Sequence, residues 1–490
     1  MDTEKPSPPP RFPSFRNWLS LWGGVLAISA LFAFILLFAI DSIARFNNPY
    51  LGVLTYIVAP GFLIMGLFFA ALGAFLQHRR IVKHKPAPLI QLDLSRPHDR
   101  RVLGLVLAGS GGFLLITAIG SYYTYHFTES PVFCGDVCHT VMQPEMTTYQ
   151  HSPHARVSCA SCHIGPGATW FVRSKLSGTY QVYATIFNKY PRPIPTPVKN
   201  LRPAPETCER CHWPREFVGN LDRAYTYYLS DSNNPPFTLR MLLKVGGADP
   251  TRGPVGGIHW HMNVANRVEY IATDELRQKI PWVRLIDPQG VVTEYRTARF
   301  TNDISKYSIR VMDCMDCHNR PTHIFTPPDQ AVFLAMRLGH IDAKLPYIQT
   351  NAVWALTRPY TNTTQGLRGI ATLLSAQYPD TPQLTQAIAV VQNIYTNNFF
   401  PHMRANWRDY PNDIGHMIFP GCTRCHDNQH LTADKKQKIR FSECMMCHVI
   451  LAQGSGEQLL QLNAEGHKFA HPGGELGPDD MCYECHTGGP

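Results

Sequence analysis

The feature that most constrains this chain is a repeat in which two cysteines are followed directly by a histidine. All 14 cysteines fall into seven such groups. Six read C-x-x-C-H: Cys159/Cys162/His163, Cys208/Cys211/His212, Cys314/Cys317/His318, Cys422/Cys425/His426, Cys444/Cys447/His448 and Cys482/Cys485/His486. The earliest group, Cys134/Cys138/His139, has one more residue between its cysteines. This spacing suits covalent haem. Two thiols add to the two vinyl groups of one macrocycle, and the adjacent imidazole then lies under the iron. By chance, a chain of this composition would hold about 0.02 C-x-x-C-H motifs. Redox dithiols and zinc sites also use C-x-x-C. Neither calls for histidine after every pair with no cysteine left over. The reading is seven covalently bound haem c groups, which leaves no thiols for disulfides.

Charge is a weaker guide. The formal net charge is +9, but each haem adds two propionates that offset it. The basic balance therefore gives no reason to expect nucleic-acid binding.

Three long uncharged apolar stretches precede the motifs: 17–40, 51–76 and 102–125. Each is long enough to cross the hydrocarbon as a helix. Trp18, Trp22, Tyr50, Tyr122, Tyr123 and Tyr125 lie near their ends, where aromatic belts form. A cleaved signal peptide fits the first stretch poorly, because it is long and has no small-residue cleavage site. The basic segment 78–101 carries Arg79, Arg80, Lys83, Lys85, Arg96, Arg100 and Arg101, so it belongs in the cytoplasm with the tail 1–16. Everything after Tyr125 then lies outside, where c-type haem is attached. The expected architecture is a three-helix transmembrane region over 17–125, a three-haem region over 126–214 and a four-haem region over 215–490. That places a multi-pass protein in the inner membrane, in contact with the lipid bilayer, with its haems on the periplasmic side.

With seven large apolar cofactors in this external part, regular secondary structure should be sparse. The fold class expected is a multihaem cytochrome c, mainly α with a small β hairpin, behind the transmembrane helices. Trp282–Ile286 and 291–295 flank the turn sequence Asp287-Pro288-Gln289-Gly290. Apolar residues recur at helical spacing over 329–357 and 363–398. Six prolines between Pro191 and Pro205 mark a stiff connector.

Electron-transfer haems usually carry two axial ligands. Twelve histidines beyond the membrane lie outside the motifs. The distal candidates are His154, His259, His323, His416, His430 and His471, beside the proximal His139, His163, His212, His318, His426, His448 and His486. His259 and His261 share a face if they lie on a strand, with one as ligand and the other structural. Met142 and Met146 follow His139 closely, and a methionine ligand there would raise the potential of the first haem.

The run Cys134-Gly-Asp-Val-Cys-His-Thr-Val-Met-Gln-Pro-Glu145 resembles the opening motif of the NapC/NirT family of membrane-anchored multihaem quinol dehydrogenases. Ser152-Pro-His-Ala155, Cys159-Ala-Ser-Cys-His163 and Lys175 fit its pattern. Gly257-Ile-His-Trp-His261, Cys317-His-Asn-Arg-Pro-Thr-His323 and the stretch Gly415–His426 are similar to the larger seven-haem inner-membrane members, the ImcH-like cytochromes of metal-reducing bacteria. The resemblance implies electron transport in anaerobic respiration. Menaquinol from the membrane quinol pool would be oxidised beside a first haem with Met142 as ligand, and electrons would pass to periplasmic c-type cytochromes. That would make the chain a quinol:cytochrome c oxidoreductase. The resemblance implicates Lys175 in quinol contact. Some relatives place an acid shortly after that lysine. Here Gln181 and Val182 stand there, so Asp136 or Glu145 would have to act as base. The stretch Ala168–Tyr190, aromatic with Arg173 and Lys175 between the rings, reads as an interfacial helix, and lipid phosphates are an alternative contact for its cations. The competing function is an electron relay without its own quinol site, fed by a partner membrane complex. An oxyanion-reducing haem enzyme is weaker, since every motif ends in histidine.

Overall fold

The computed structural model describes residues 13–15, 17–44, 58–83, 94–137, 139–165, 168–198, 201–247, 251, 256–262, 266–441, 444–477 and 480–489. Cys138, most of the tail 1–16, the start of the second apolar stretch and residues 84–93 of the basic segment lie outside them. So do the side chains of His139 and Cys444. The chain forms two compact units: 1–134 with 158–183, and 135–157 with 184–490.

In the first unit the apolar stretches form the helices Trp18–Ala44, Ala59–Val82 and Pro97–Thr128. Two segments, Trp18–Phe38 and Ala59–Val82, are long and apolar enough to cross a membrane. Among the described residues the count by that criterion is therefore two rather than the three expected. The first two helices pack backbone to backbone. A β-carbon at Gly23 would lie 2.3 Å from the Ala70 nitrogen, and one at Gly66 would lie 2.5 Å from that of Ala27. Ser20 Oγ donates to the Ala70 carbonyl at 2.9 Å. In lipid, where apolar side chains gain little from each other, such close approach and cross-helix hydrogen bonds hold helices together. The expected interfacial segment is the helix Ala168–Ile186, with Leu176 and Tyr180 exposed.

In the second unit the core is helical and lies in the long interval between the fourth and fifth motifs. The apolar run 329–357 forms two helices, Pro328–Arg337 and Ile348–Leu356. The run 363–398 likewise forms two, Thr363–Ser375 and Pro382–Asn398. Gly339 and Tyr347, both at positive φ, end the first of these and begin the second. Asn362 and Thr381 cap the third and fourth by accepting from the Gln365 and Leu384 amides. Val332, Ala352, Leu356, Ile370 and Val391 are fully buried between these helices. The helix His139–Gln150 joins this core through Val141.

Two antiparallel sheets flank the core. In one, β1 (Leu221–Tyr228) pairs with β2 (Pro236–Leu243), and β2 with β7 (His448–Gly454). In the other, β3 (Arg267–Ile271) lies between β4 (Trp282–Ile286) and β6 (Arg310–Val311), with β5 (Val292–Arg296) outside β4. The β4–β5 hairpin is the expected one. Asp287 Oδ1 accepts from the Gln289 and Val291 amides, and Gly290 adopts φ +79°. Much of the remainder is turn and irregular chain.

Candidate haem ligands and the membrane-edge site

The attachment motifs repeat one local shape. In four of them the histidine N–H bonds back to the carbonyl of the first cysteine: His212 to Cys208, His318 to Cys314, His426 to Cys422 and His486 to Cys482, at 2.8 to 3.0 Å. That single turn carries both sulfurs and the imidazole together. Neighbouring motifs also meet. The Cys159 thiol hydrogen-bonds that of Cys134, which draws it down to about 7, and Cys314 makes the same contact with Cys208. Burial pushes the Cys317 and Cys425 thiols up to about 12.

The attachment cysteines are not equally enclosed. Cys211, Cys422 and Cys485 are exposed, and the other described cysteines, Cys162 among them, are half-buried. The reason is local. Cys422 and Cys485 lie on the one-turn helices Gly421–Arg424 and Cys482–Cys485, and Cys211 follows the helix Ala204–Cys208. Turns this short present one side outward. Covalent attachment depends on the spacing of the two sulfurs and not on their burial, so Cys211, Cys422 and Cys485 stay in the attachment set, on its solvent side, with the half-buried Cys162. No described cysteine forms a disulfide. In the haem-bearing protein these sulfurs are thioethers, so the thiol shifts mark only how enclosed and how close the attachment points are.

Five motif histidines face a second imidazole. The ring centres are 6.0 Å apart for His154 and His212, 6.3 Å for His259 and His318, and 5.9 Å for His261 and His426. They are 6.3 Å apart for His416 and His448 and 6.0 Å for His471 and His486. These gaps are wider than face-to-face stacking. They suit an intervening metal: two metal–nitrogen bonds of about 2 Å, with each ring centre about 1.1 Å beyond its nitrogen, separate the centres by about 6 Å. The residues present thus fit bis-histidine haem.

Hydrogen bonding and burial agree with that fit. The Nδ1 of His154 donates to the Pro321 carbonyl at 3.0 Å, that of His259 to Val245 at 2.5 Å and that of His261 to Ile258 at 2.9 Å. A proton fixed on Nδ1 leaves the Nε2 lone pair for a metal. Burial also holds His261, His318, His416, His426, His448 and His486 below the ordinary imidazole value. Neutral imidazole is the ligating form. At His471 Nδ1 instead accepts from the Gly473 amide at 3.1 Å, so ligation through Nε2 requires that amide contact to be given up and the ring proton to sit on Nδ1.

The chain elements explain these positions. Strand β2 runs into Lys244, whose amide bonds the Cys447 carbonyl at 2.8 Å, and Leu243 pairs with His448. The Lys244 carbonyl then receives the Ile258 amide at 2.8 Å, which seats the turn Ile258–Met262. That turn is a 3-10 helix, not a strand, so His259 and His261 point apart. Each faces a different motif histidine.

Two expectations change. His261 joins the facing pairs beside His259 rather than serving as the structural member. His430 stands apart: its Nδ1 bonds Asp427 Oδ1 at 2.8 Å and its Nε2 bonds the Ile280 carbonyl at 2.7 Å. Both nitrogens are engaged, so the residue offers no lone pair to iron. His323 donates from Nδ1 to the Glu145 carbonyl at 2.9 Å and so shares the ligand tautomer.

The first motif opens where the helix Pro97–Thr128 ends, through a π-helical turn, Phe133–Val137. Gly135 is packed under Met146, and a β-carbon there would lie 2.6 Å from the Met146 sulfur. Met146 therefore stands beside Met142 as a thioether near this motif. Asp136 is exposed. Glu145 is largely buried, and desolvation raises its carboxyl to about 7 against the lowering effects of a backbone hydrogen bond and Arg320. Both acids belong to the second unit. Lys175 belongs to the first, where its Nζ lies 3.5 Å from Glu129 Oε1 and 3.2 Å from Thr128 Oγ1. Glu129 is an acid that the sequence pattern did not single out, because it precedes the motif and is 46 residues from the lysine.

Comparison with known proteins agrees with this architecture. The N-terminal region of the NapC/NirT cytochrome c family matches residues 96–193. The chain is 40% identical over 490 residues to the cytochrome c-type protein ImcH of Geobacter sulfurreducens (strain ATCC 51573 / DSM 12127 / PCA), covering 96% of this chain and 95% of that protein. No solved structure matches it. With haem-attachment motifs, apolar N-terminal helices and a relative this similar end to end, the chain belongs to the NapC/NirT family of membrane cytochromes c, of the ImcH kind, and serves electron transport.

Proposed function

We propose that the protein is a menaquinol dehydrogenase that passes electrons through seven haems to periplasmic c-type cytochromes. The observation that carries this reading is the Lys175–Glu129 pair at the end of the helix Pro97–Thr128, five residues before Cys134. A carboxylate just past a helix C-terminus meets an unfavourable dipole. Keeping it there, mostly enclosed beside a lysine, suits a proton-handling role.

Haem, when attached, accepts one electron at a time, whereas a quinol releases two electrons and two protons. In this proposal Lys175 orients a quinol oxygen, and the Glu129 carboxylate takes the hydroxyl protons in turn and returns them to the outer aqueous side. The exposed apolar face of Ala168–Ile186 gives entry from the bilayer. The helix Pro97–Thr128, 32 residues long, is the third span, which puts the haem-bearing unit on the periplasmic side. All seven cysteine pairs hold haem, the half-buried Cys162 and the solvent-side Cys211, Cys422 and Cys485 included. His154, His259, His261, His416 and His471 are the distal ligands of the motifs they face, and Met142 or Met146 serves the first haem.

Mixing the membrane-reconstituted protein with menaquinol under anaerobic conditions tests the reading. Haem absorbance should show reduction. Glu129→Gln should slow it by about 100-fold, and Lys175→Ala should slow it comparably, with full reduction by dithionite retained in both. Haems that dithionite reduces but no quinol does would leave the relay reading in place.

A further inference from the structure

The fourth and fifth motifs are joined on two sides. On the distal side one short turn supplies both facing imidazoles, His259 to His318 and His261 to His426. On the attachment side a buried guanidinium lies between the two loops. Arg424 sits between the cysteines of the fifth motif, and Asp316 between those of the fourth.

Arg424 makes four polar contacts, three of them to backbone carbonyls. Nε donates to the Gly421 carbonyl at 2.7 Å within its own loop, and Nη2 donates across to the Asp316 carbonyl. Nη1 donates to the Arg277 carbonyl at 3.1 Å and lies 3.0 Å from Asp413 Oδ2. The Asp316 carboxylate is held in turn by Arg277 at 3.1 Å and by the Tyr270 hydroxyl. Its other oxygen accepts the Asp313 amide at 2.8 Å. The Arg424, Asp413 and Asp316 side chains are 5%, 3% and 2% exposed. Attachment of one haem alone needs no such network, since cysteines and histidine suffice. A guanidinium fork matched to backbone carbonyls of two loops fixes their separation and orientation as a point charge could not.

We propose that Arg424 is a positioning residue that locks the fourth and fifth haem attachments into one rigid pair and biases both haems with its charge. Asp413 balances this cation, so removing the guanidinium alone leaves a buried carboxylate beside both attachment loops and should lower the potential of each haem held there. Electrons would then exchange within the pair at a separation that thermal motion changes little. This rests on the imidazole pairing above and is independent of the quinol site.

An EPR-monitored redox titration of the full-length, membrane-reconstituted protein tests it. In Arg424→Gln two low-spin haems should shift to lower potential together while the others keep theirs. A shift confined to one haem, or none, overturns the proposal. Should the Gln variant bind fewer haems than the parent protein, Arg424→Lys carries the test. It keeps the charge and loses the fork, so the same two signals should broaden with their potentials nearly kept. Signals identical to the parent's in the Lys variant overturn the clamp. Failure of the ligand pairing itself would look different, as high-spin signals already present in the parent protein.

Discussion

A histidine serves iron only when one nitrogen is kept unprotonated and aimed, and the partner of the other nitrogen decides that. His261 meets the condition through the Ile258 carbonyl, and His430 fails it because both nitrogens are bonded. His261→Met should therefore turn one bis-histidine haem into a His/Met haem and raise its potential, visible as a single component leaving the low-potential group. His430→Gln should leave every haem low-spin. It should lower thermal stability by about 1–3 kcal/mol per buried partner left unsatisfied. A new high-spin haem in that variant would contradict the assignment. The two histidines could not be told apart in sequence. A strand would have put His259 and His261 on one face, whereas the 3-10 turn separates them. The carbonyl that occupies His430 belongs to Ile280, 150 residues away. The attachment residues were legible because their chemistry is local. His154, His259, His416 and His471 were candidates from sequence, but which motif each faces was not legible, because that depends on chain brought from elsewhere; the Glu129–Lys175 contact was hidden for the same reason.

Among elements, the β4–β5 hairpin was legible because Asp287 and Gly290 encode its turn. Strand β7 was hidden, as it begins at the sixth motif's own histidine and pairs with β2 some 200 residues earlier. The long helices were found but not their breaks, since apolar spacing continues across Gly339 and Tyr347. At the start of the helix Pro328–Arg337, Asp329 Oδ1 accepts from the Gln330 amide at 2.6 Å. Burial pushes its carboxyl up to about 6, from an ordinary 3.8, against backbone hydrogen bonds that lower it. A folded value above the unfolded one means the native state holds the proton more tightly. The associated stability is full below about pH 4 and is lost as pH rises through about 6. Asp329→Asn keeps the acceptor and removes the charge. It should match the parent near pH 4 and exceed it at pH 8 by no more than about 3 kcal/mol. Helical circular dichroism followed through thermal unfolding at both values checks this, and a pH-independent difference would refute it.

At the scale of the whole molecule, neither compact unit is a continuous stretch of chain. The chain leaves the first unit after Cys134, returns at Ser158 and leaves again after Tyr183. The segment 135–157 thus belongs with the large unit, although it lies in sequence between the end of the membrane helices and the interfacial helix. It brings His154 to His212, held by the Pro321 carbonyl, and it seats Val141 in the helical core. A secreted fragment of residues 184–490 would keep five motifs and both imidazoles of four pairs. It would lose His154, the facing imidazole of the motif formed by Cys208, Cys211 and His212. Such a fragment should attach five haems, four low-spin and one high-spin. Added imidazole should convert that one haem to low-spin, and so should extension of the fragment to residue 135. Five low-spin haems in the shorter fragment would show that the third motif draws its distal ligand from elsewhere. A defect spread over several haems would show instead that 135–157 supports the core as a whole, through Val141, more than it supplies a single ligand.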